Sequence, residues 1–297
     1  MSDSRQIIKQ NGKSFYWASK FLGKDYVDPI YSIYEMCRKL DDIVDEQSKE
    51  AAIKEIGLLK KDLTKENLQN KFESLKRLDD DQFPQIKYFE EFILGQESDI
   101  NFRQPKSINE LLKYCYRVAG VVGLMVCDAV NIKDENLKFF AIDLGIAMQL
   151  VNIVRDIQED ALRGRVYIPE NLIGAVSASD VVAKPDLITK VEQEKLRILN
   201  IADKYFNSAN YAIKYLPKEV SMAFGLASNL YQGIGKKIIK KEQPFTNGRV
   251  YLNGAEKLFH TLKFLLKSKK NKNYQPIHNN MLHLPIKNSP STNNKNV

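Results

Sequence analysis

Several features of secreted and membrane-spanning proteins are missing from this sequence. No stretch approaches the roughly 20 apolar residues that a membrane-spanning helix needs. Residues 1–13 are polar and lack the apolar run of a signal peptide. The three cysteines, Cys37, Cys115 and Cys127, are an odd number without metal-ligand spacing, and each lies among apolar neighbours. These absences predict a cytoplasmic protein without a disulfide framework.

Acidic residues are nearly absent from residues 249–297. This segment contains nine basic residues and a single acid, Glu256, whereas residues 1–248 contain 36 basic and 36 acidic residues. The formal net charge of +8 therefore belongs to the carboxy-terminal end. Because aromatic residues are sparse there, we expect no nucleic-acid binding, and a solvated or membrane-facing tail instead.

Sustained alternation of apolar and polar residues, the pattern of strands, is also hard to find. Helical spacing of apolar residues dominates in five segments: 29–43, 111–130, 136–162, 187–216 and 220–239. Proline and glycine lie where these helices would end. The sequence predicts an all-α protein with one helical domain over residues 1–270. Residues 271–297, rich in Lys, Asn, Ser and Pro, are expected to be disordered.

The segment 34–46 concentrates charge on one face of a predicted helix. Spacings of four, three and four residues bring together Tyr34, Arg38, Asp41 and Asp45. The two carboxylates would lie about 6 Å apart along the axis, where they repel each other. Mg²⁺ removes this repulsion, because it favours one or two carboxylates together with substrate phosphate oxygens. For this segment alone, a solvated acidic face is the simpler interpretation.

A second polar stripe lies in the apolar segment 136–162. Its members are spaced by three, four and four residues: Gln149, Asn152, Asp156 and Asp160. Residues 139–148 are apolar nearly all round, as in the central helix of a bundle. Buried polar side chains cost several kcal/mol unless they are paired or bind a metal. An ion-pair network would also satisfy them, but the matching first helix favours a magnesium site, with Arg38 and Arg155 holding diphosphate.

Six motifs, in order and spacing, resemble the squalene and phytoene synthase family. They lie at residues 13–16, 34–45, 114–123, 152–160, 163–169 and 248–251. Each motif alone has moderate specificity, whereas six in this order are highly specific. The likeness covers about residues 10–265, and it looks closest to the bacterial phytoene synthases. The resemblance implies an isoprenoid synthase-type helical bundle with a central apolar cavity.

The resemblance also implies a role for each matching position. It implies that Mg²⁺, or Mn²⁺ in its place, is bound by Asp41, Asp45, Asn152, Asp156 and Asp160. It implies that isoprenoid diphosphate substrates contact Ser14, Tyr34, Arg38, Gln149, Arg155, Tyr231 and Arg249. Tyr114 joins the four aspartates as a catalytic residue. Asp42 and Glu159 extend the acidic clusters, but their direction on the helix predicts a position behind the metal ligands.

The implied reaction is the head-to-head condensation of two geranylgeranyl diphosphates to phytoene, in carotenoid biosynthesis. It passes through a cyclopropylcarbinyl diphosphate, releases diphosphate and ends in proton loss. The sequence has no glycine-rich dinucleotide fingerprint after a strand, so no nicotinamide cofactor is expected. The nearest alternative is the same chemistry on farnesyl diphosphate, giving presqualene diphosphate or dehydrosqualene. The others are a non-catalytic assembly factor, disfavoured by the filled metal positions, and a terpene cyclase, disfavoured by the spacing of the acidic motifs.

Two sets of apolar residues remain to be placed. A dry cavity must protect a carbocation from water, and the expected lining is Val118, Val122, Leu144, Ala147, Met148 and Val151.

In segment 254–267, one helical face carries Leu258, Leu262, Leu265 and Leu266, and positive charge is supplied by Lys257, Lys263 and Lys267. These leucines either pack on the body of the protein or insert into an anionic membrane at its inner face, which would also attract the lysines of the tail. The oligomeric state is left open.

Overall fold

The structure, a computed structural model, describes residues 2–240, 244–267 and 277–287. Its α-helices are α1 Ser2–Asn11, α2 Lys13–Ser19, α3 Lys24–Glu46, α4 Lys49–Lys61, α5 Lys65–Lys71, α6 Ile86–Ile100, α7 Ile108–Cys115, α8 Val121–Ala129, α9 Glu135–Arg155, α10 Ile157–Leu162, α11 Glu170–Ile173, α12 Ala178–Ala183, α13 Pro185–Ile213, α14 Lys218–Lys240 and α15 Gly254–Lys267. A π-helical turn, Tyr116–Gly120, joins α7 to α8. The described ranges also contain three short 3-10 helices: Glu73–Arg77, Phe245–Asn247 and Asn280–Ile286. These ranges contain no strand, which confirms the prediction of an all-α protein.

Helix α9 runs through the middle of the bundle. The Asp134 side chain caps its first turn by accepting a hydrogen bond from the backbone N–H of Asn136. The helix then packs against α8, α13, α14 and the π-helical turn. A Cβ atom at Gly145 would lie only 2.2 Å from the carbonyl oxygen of Ala119, so glycine is what lets α9 approach the π-helical turn. Neighbouring helices therefore bury the long apolar segment.

By length and composition, α9 is also the one helix of the described chain that could cross a membrane. In the bundle, 61% of its most apolar window is buried against protein. The apolar character of α9 is thus accounted for by its central place in the core.

The predicted central helix over 136–162 is in fact two helices, which corrects the sequence-based expectation. Helix α9 ends at Arg155, and α10 begins at Ile157. Between them, Asp156 has φ −107° and ψ 12°, outside the helical region, although its N–H still bonds to the Asn152 carbonyl. Asp156 lies at the break and Asp160 on α10. The backbone N–H of Asp160 still bonds to the Asp156 carbonyl at 2.9 Å, so the four-residue spacing persists across the break.

Part of the expected disordered tail has a defined structure. Residues 277–287 include the 3-10 helix Asn280–Ile286, which packs on α7. Three side chains anchor it by burial: His278, His283 and Ile286. The expectation of disorder is therefore wrong for this segment, while residues 271–276 and 288–297 lie outside the described part. The composition of the tail did not predict this ordered segment, because only three of its side chains are buried.

Candidate active site

A cavity of about 800 Å³ opens between helices α3, α6, α8, α9, α13 and α14. Every position for which a metal, substrate or catalytic role was expected lines it: Ser14, Tyr34, Arg38, Asp41, Asp45, Tyr114, Gln149, Asn152, Arg155, Asp156, Asp160, Tyr231 and Arg249. The fold therefore brings residues from both ends of the chain to one site. Their individual roles stay predictions.

The acidic groups are held where ionisation is costly. Burial, together with the neighbouring charge of Asp45, raises the pKa of Asp41 to about 7, although Gln96 Nε2 donates a hydrogen bond to it at 2.8 Å. Burial and the nearby Asp156 raise the pKa of Asp160 to about 8. Burial is the main cause of both raised pKa values, and the neighbouring carboxylates add to it.

Asn152 supplies a second sign of a cation site. Its Oδ1 atom is buried and has no hydrogen-bond partner, whereas its Nδ2 donates to Gln149 Oε1 at 3.3 Å. A buried amide oxygen without a donor carries an uncompensated desolvation cost. Together with the carboxylates it forms a set of hard oxygen ligands, the kind that Mg²⁺ and Mn²⁺ prefer. The residues present therefore fit a divalent metal.

Two arginines converge on Asp156, at the break between α9 and α10. Arg155 donates from Nε and Nη2 at 2.7 and 2.6 Å, and Arg249 does the same at 2.7 and 2.6 Å. Although burial acts to raise the pKa of Asp156, these two guanidinium groups hold it below its usual value. Arg38 likewise pairs with Asp42. Both arginines for which a diphosphate contact was expected thus pair with an aspartate in this structure, and their contact with diphosphate stays a prediction.

Asp45 is held by a pair of arginines to which the sequence analysis assigned no role. Arg163 Nη1 lies 3.0 Å and Arg165 Nη1 lies 2.7 Å from its two carboxylate oxygens. Both arginines line the cavity. They belong to the motif at 163–169 that contributed to the family resemblance, so a signal was present. The motif alone did not show which carboxylate they meet, because that depends on how α3 and the segment after α10 pack.

Tyr114 belongs to a buried hydrogen-bonded cluster with Asp99 and Tyr167. The Tyr114 hydroxyl donates to Asp99 Oδ2 at 2.9 Å, and the Tyr167 hydroxyl donates to Asp99 Oδ1 at 2.7 Å. Burial raises the pKa of Asp99 to about 6, and burial and the Asp99 charge raise the pKa of Tyr114 well above its ordinary value. Tyr114 is therefore a neutral phenol with a fixed hydroxyl. Asp99 and Tyr167 were not predicted from sequence, because neither lies in an acidic motif.

Four of the six predicted apolar lining residues face the cavity: Val118, Val122, Leu144 and Met148. Ala147 and Val151 do not line it and are buried in the protein core instead, which corrects the prediction. Four aromatic side chains that were not predicted also line the cavity: Phe15, Phe92, Phe140 and Phe224. The polar opening thus leads into a predominantly apolar interior.

Asp42 and Glu159 lie outside the cavity lining, as their helix direction predicted. Asp42 contacts Arg38, and Glu159 Oε2 lies 3.1 Å from Arg249 Nη1. Both acids therefore contact arginines that line the cavity. This arrangement places them behind the proposed ligands and next to the proposed diphosphate contacts.

Solved structures with the same architecture define the fold. A crystal structure of a dehydrosqualene synthase with ligand has a TM-score of 0.72 at 24% identity, covering 90% of this chain and 96% of that one. The squalene synthase HpnC from Alicyclobacillus acidocaldarius has a TM-score of 0.62 at 18% identity, covering 83% of this chain and 94% of that one. The fold is therefore that of the squalene synthase-type isoprenoid synthases.

Sequence comparison defines the family to which the chain belongs. The sequence profile described as Squalene/phytoene synthase matches residues 8–256. The 15-cis-phytoene synthase of Paracoccus sp. (strain N81106 / MBIC 01143) is 30% identical over 86% of this chain and 87% of that protein. The 15-cis-phytoene synthase of Synechocystis sp. is 31% identical over 86% of this chain and 81% of that one. The chain belongs to the squalene/phytoene synthase family and is a prenyltransferase.

Arg155 and Arg249 both pair with Asp156. We therefore predict that the effects of replacing them on the free energy of unfolding do not add. Arg249→Gln should cost about 1 kcal/mol or less, because Arg155 still neutralises the buried carboxylate. The double variant with Arg155→Gln leaves Asp156 unpaired and should cost about 3–5 kcal/mol. Urea unfolding of the parent, both single variants and the double variant measures the coupling.

A matched pair serves as the control for that cycle. Arg163→Gln combined with Arg249→Gln removes one arginine from each of two different aspartates, so the two effects should add to within about 0.5 kcal/mol. Additive effects in the Arg155/Arg249 pair as well would contradict a shared ion pair at Asp156.

Proposed function

We propose that this protein condenses two geranylgeranyl diphosphates head to head to form phytoene and releases diphosphate. The observation that carries the proposal is the meeting of hard oxygen ligands and arginines at the opening of a largely apolar cavity. The relatives named 15-cis-phytoene synthase, at 30% and 31% identity over most of the chain, support phytoene as the product.

The proposed metal ligands divide between two sides of the opening. Asp41 and Asp45 come from α3, and Asn152, Asp156 and Asp160 come from α9, the break and α10. A divalent ion held by these oxygens supplies positive charge that stabilises the diphosphate leaving group as the allylic C–O bond breaks. The raised pKa values of Asp41 and Asp160 and the unpartnered Asn152 Oδ1 support this assignment.

The arginine pair at Asp156 is proposed to receive the diphosphate. Each guanidinium presents a planar fork, and phosphate oxygens accept the same bidentate hydrogen bonds that a carboxylate does. A diphosphate at the opening can therefore take over donors that Asp156 holds, which frees the Asp156 oxygens for the metal. In this account the ion pair keeps both arginines in position between turnovers.

The cavity interior is proposed to hold the hydrocarbon chains and to exclude water. Loss of diphosphate leaves an allylic cation that water would destroy. The Tyr114 ring lines this space while its hydroxyl is fixed by Asp99, so the neutral aromatic face can stabilise the cation without reacting with it. The cation adds to a double bond of the second substrate and loses a proton, which gives a cyclopropylcarbinyl diphosphate. Ionisation of this intermediate releases the second diphosphate, and rearrangement with loss of another proton gives phytoene, so no nicotinamide is required.

Incubation with defined substrates tests the proposal. Purified protein with Mg²⁺ and geranylgeranyl diphosphate should give phytoene, and it should prefer this substrate to farnesyl diphosphate in kcat/KM. The hydrocarbon is identified by chromatography and mass spectrometry, without added nicotinamide. A preference for farnesyl diphosphate would assign the chain to the dehydrosqualene or presqualene chemistry. No product from either diphosphate would contradict a catalytic role and favour the assembly-factor alternative.

We also propose peripheral attachment to an anionic membrane through α15. The leucines of this helix expose much of their surface: Leu258, Leu262, Leu265 and Leu266 are 51%, 53%, 41% and 83% exposed, and Phe259 is 62% exposed. The inward face consists instead of Thr261, which accepts a hydrogen bond from Trp17 Nε1, and Phe264, which packs near Gly225.

The position of α15 supports lipid delivery to the cavity. Lys257, which we expected at a membrane boundary, lines the cavity, so the helix begins at the site itself. Lys263 is exposed and remains available to anionic lipid. A polar surface helix would gain nothing from five exposed large apolar side chains, whereas a membrane-inserted one would. Lys269, Lys270 and Lys272 of the basic tail lie outside the described residues.

Substitution of the exposed leucines tests membrane attachment. Leu262→Gln with Leu266→Gln should weaken co-sedimentation with vesicles containing anionic lipid by about tenfold or more, because each buried leucine contributes about 1.5–3 kcal/mol. Binding of the parent should fall as salt rises. Leu58→Gln, at a site on α4 that is 60% exposed, is the matched control and should bind as the parent does.

Substitution is preferable to truncation here, because removing the tail would also remove the buried histidines of segment 277–287. Parent protein that ignores vesicles, or leucine variants that bind as the parent does, would overturn attachment through α15. Neither outcome would affect the proposed reaction.

A further inference from the structure

A second cluster of ligating side chains lies away from the active-site cavity. Asp143 on α9 is 0% exposed and does not line the cavity. Its two oxygens face two histidines of the carboxy-terminal segment: His278 Nε2 lies 3.0 Å from Oδ2, and His283 Nε2 lies 2.8 Å from Oδ1. These two of the three histidines in the chain thus meet a carboxylate that precedes them by more than 130 residues.

The second ring nitrogen of His278 limits what can lie between it and Asp143. His278 Nδ1 is 3.1 Å from Asn280 Oδ1, an oxygen that accepts a hydrogen bond in the tautomer that carries its proton on Nδ1. In a neutral imidazole, the proton on Nδ1 leaves Nε2 with only a lone pair. That lone pair would face a carboxylate oxygen at 3.0 Å, an arrangement that is repulsive unless a cation lies between the two atoms.

The cation is either a proton on the imidazole or a metal ion, and the donor set suits a metal. Metal-binding histidines almost always donate their other ring N–H to a carbonyl or carboxylate oxygen, as His278 does to Asn280. His283 adds a second imidazole, so the cluster offers two nitrogen ligands and one carboxylate. Two imidazoles and a carboxylate form a ligand set typical of zinc.

The spacing needs side-chain movements of about an ångström. The three ligand atoms, one from each residue, lie within 4.8 Å of one another. The two short nitrogen–oxygen distances end on different oxygens of Asp143, whereas a tetrahedral ion binds one of these oxygens. Ligand atoms about 2.0–2.1 Å from such an ion are about 3.3–3.4 Å apart, so rotation of the histidine and aspartate side chains has to bring the set together.

We propose that Asp143, His278 and His283 bind one divalent transition-metal ion of the Zn²⁺ class, separate from the magnesium-type site. The ion fastens segment 277–287 to the central helix α9. His278 contacts Phe140 edge-on, with ring centroids 5.1 Å apart, and Phe140 lines the active-site cavity. The bound ion therefore supports the cavity wall from outside.

Cobalt substitution tests the site in the full-length protein, prepared without a histidine tag. Metal is stripped with a chelator, millimolar Mg²⁺ is added to occupy the oxygen ligands of the opening, and Co²⁺ is titrated in. One equivalent should give the strong visible absorption of tetrahedral Co²⁺, because oxygen ligands at the opening give six-coordinate, weakly absorbing Co²⁺. Zn²⁺ should displace it stoichiometrically.

Histidine variants assign the signal. His278→Gln and His283→Gln should each lower the affinity at least tenfold and remove the rise in Tm that Zn²⁺ gives the parent. The third histidine supplies the matched control, since His260→Gln should bind Co²⁺ as the parent does. Circular dichroism before metal addition reports whether each variant is folded.

Three results would overturn the proposal. The first is parent protein that takes up no tetrahedral Co²⁺ at micromolar free metal, which would leave a protonated His278 as the cation beside Asp143. The second is a signal that survives in both histidine variants. The third is a signal lost equally in His260→Gln. Because the parent titration is decisive by itself, a variant that fails to fold does not protect the proposal.

Discussion

Buried carboxylates repel one another and lose hydration, and the arrangement around the cavity follows from that constraint. Asp41, Asp99 and Asp160 have raised pKa values, chiefly because each is buried near other acids. A fold that brings such groups together must neutralise them with its own cations, leave them protonated or bind a metal. The protein uses its arginines for part of this charge and leaves oxygen ligands at the opening for the rest.

The buried carboxylates differ in whether arginines pair with them. Asp156 accepts hydrogen bonds from two guanidinium groups at the point where α9 ends and α10 begins. Asp45 takes two others from the segment after α10. Asp41 and Asp160 have no such partner among the described ion pairs. The groups left without a full counter-charge are thus the ones on which a substrate-bound metal would have the largest effect.

Helical periodicity made much of this predictable, because it is a local property. The scarcity of strand patterns predicted the all-α fold. The spacing of Asp41 and Asp45 and the apolar stretch before Gln149 predicted candidate residues that do line one cavity. Ion-pair partners were not predictable, since Arg249 meets Asp156 across 93 residues of sequence. Periodicity also cannot say which way an amphipathic helix faces when both its faces carry apolar groups. The exposed leucines of α15 and the buried histidines of the tail both depend on tertiary packing that composition does not encode.

We propose above all that Asp41 and Asn152 bind a divalent ion, which in turn binds diphosphate. Mn²⁺ binding, measured by electron paramagnetic resonance with and without inorganic diphosphate, tests it without requiring turnover. Diphosphate should tighten Mn²⁺ binding to the parent and to the control Glu50→Gln, which changes an exposed side chain of α4 outside the cavity lining. In Asp41→Asn and Asn152→Ala the diphosphate-dependent binding should fall at least tenfold. Diphosphate-dependent Mn²⁺ binding to Asp41→Asn as tight as that of the parent would contradict the account.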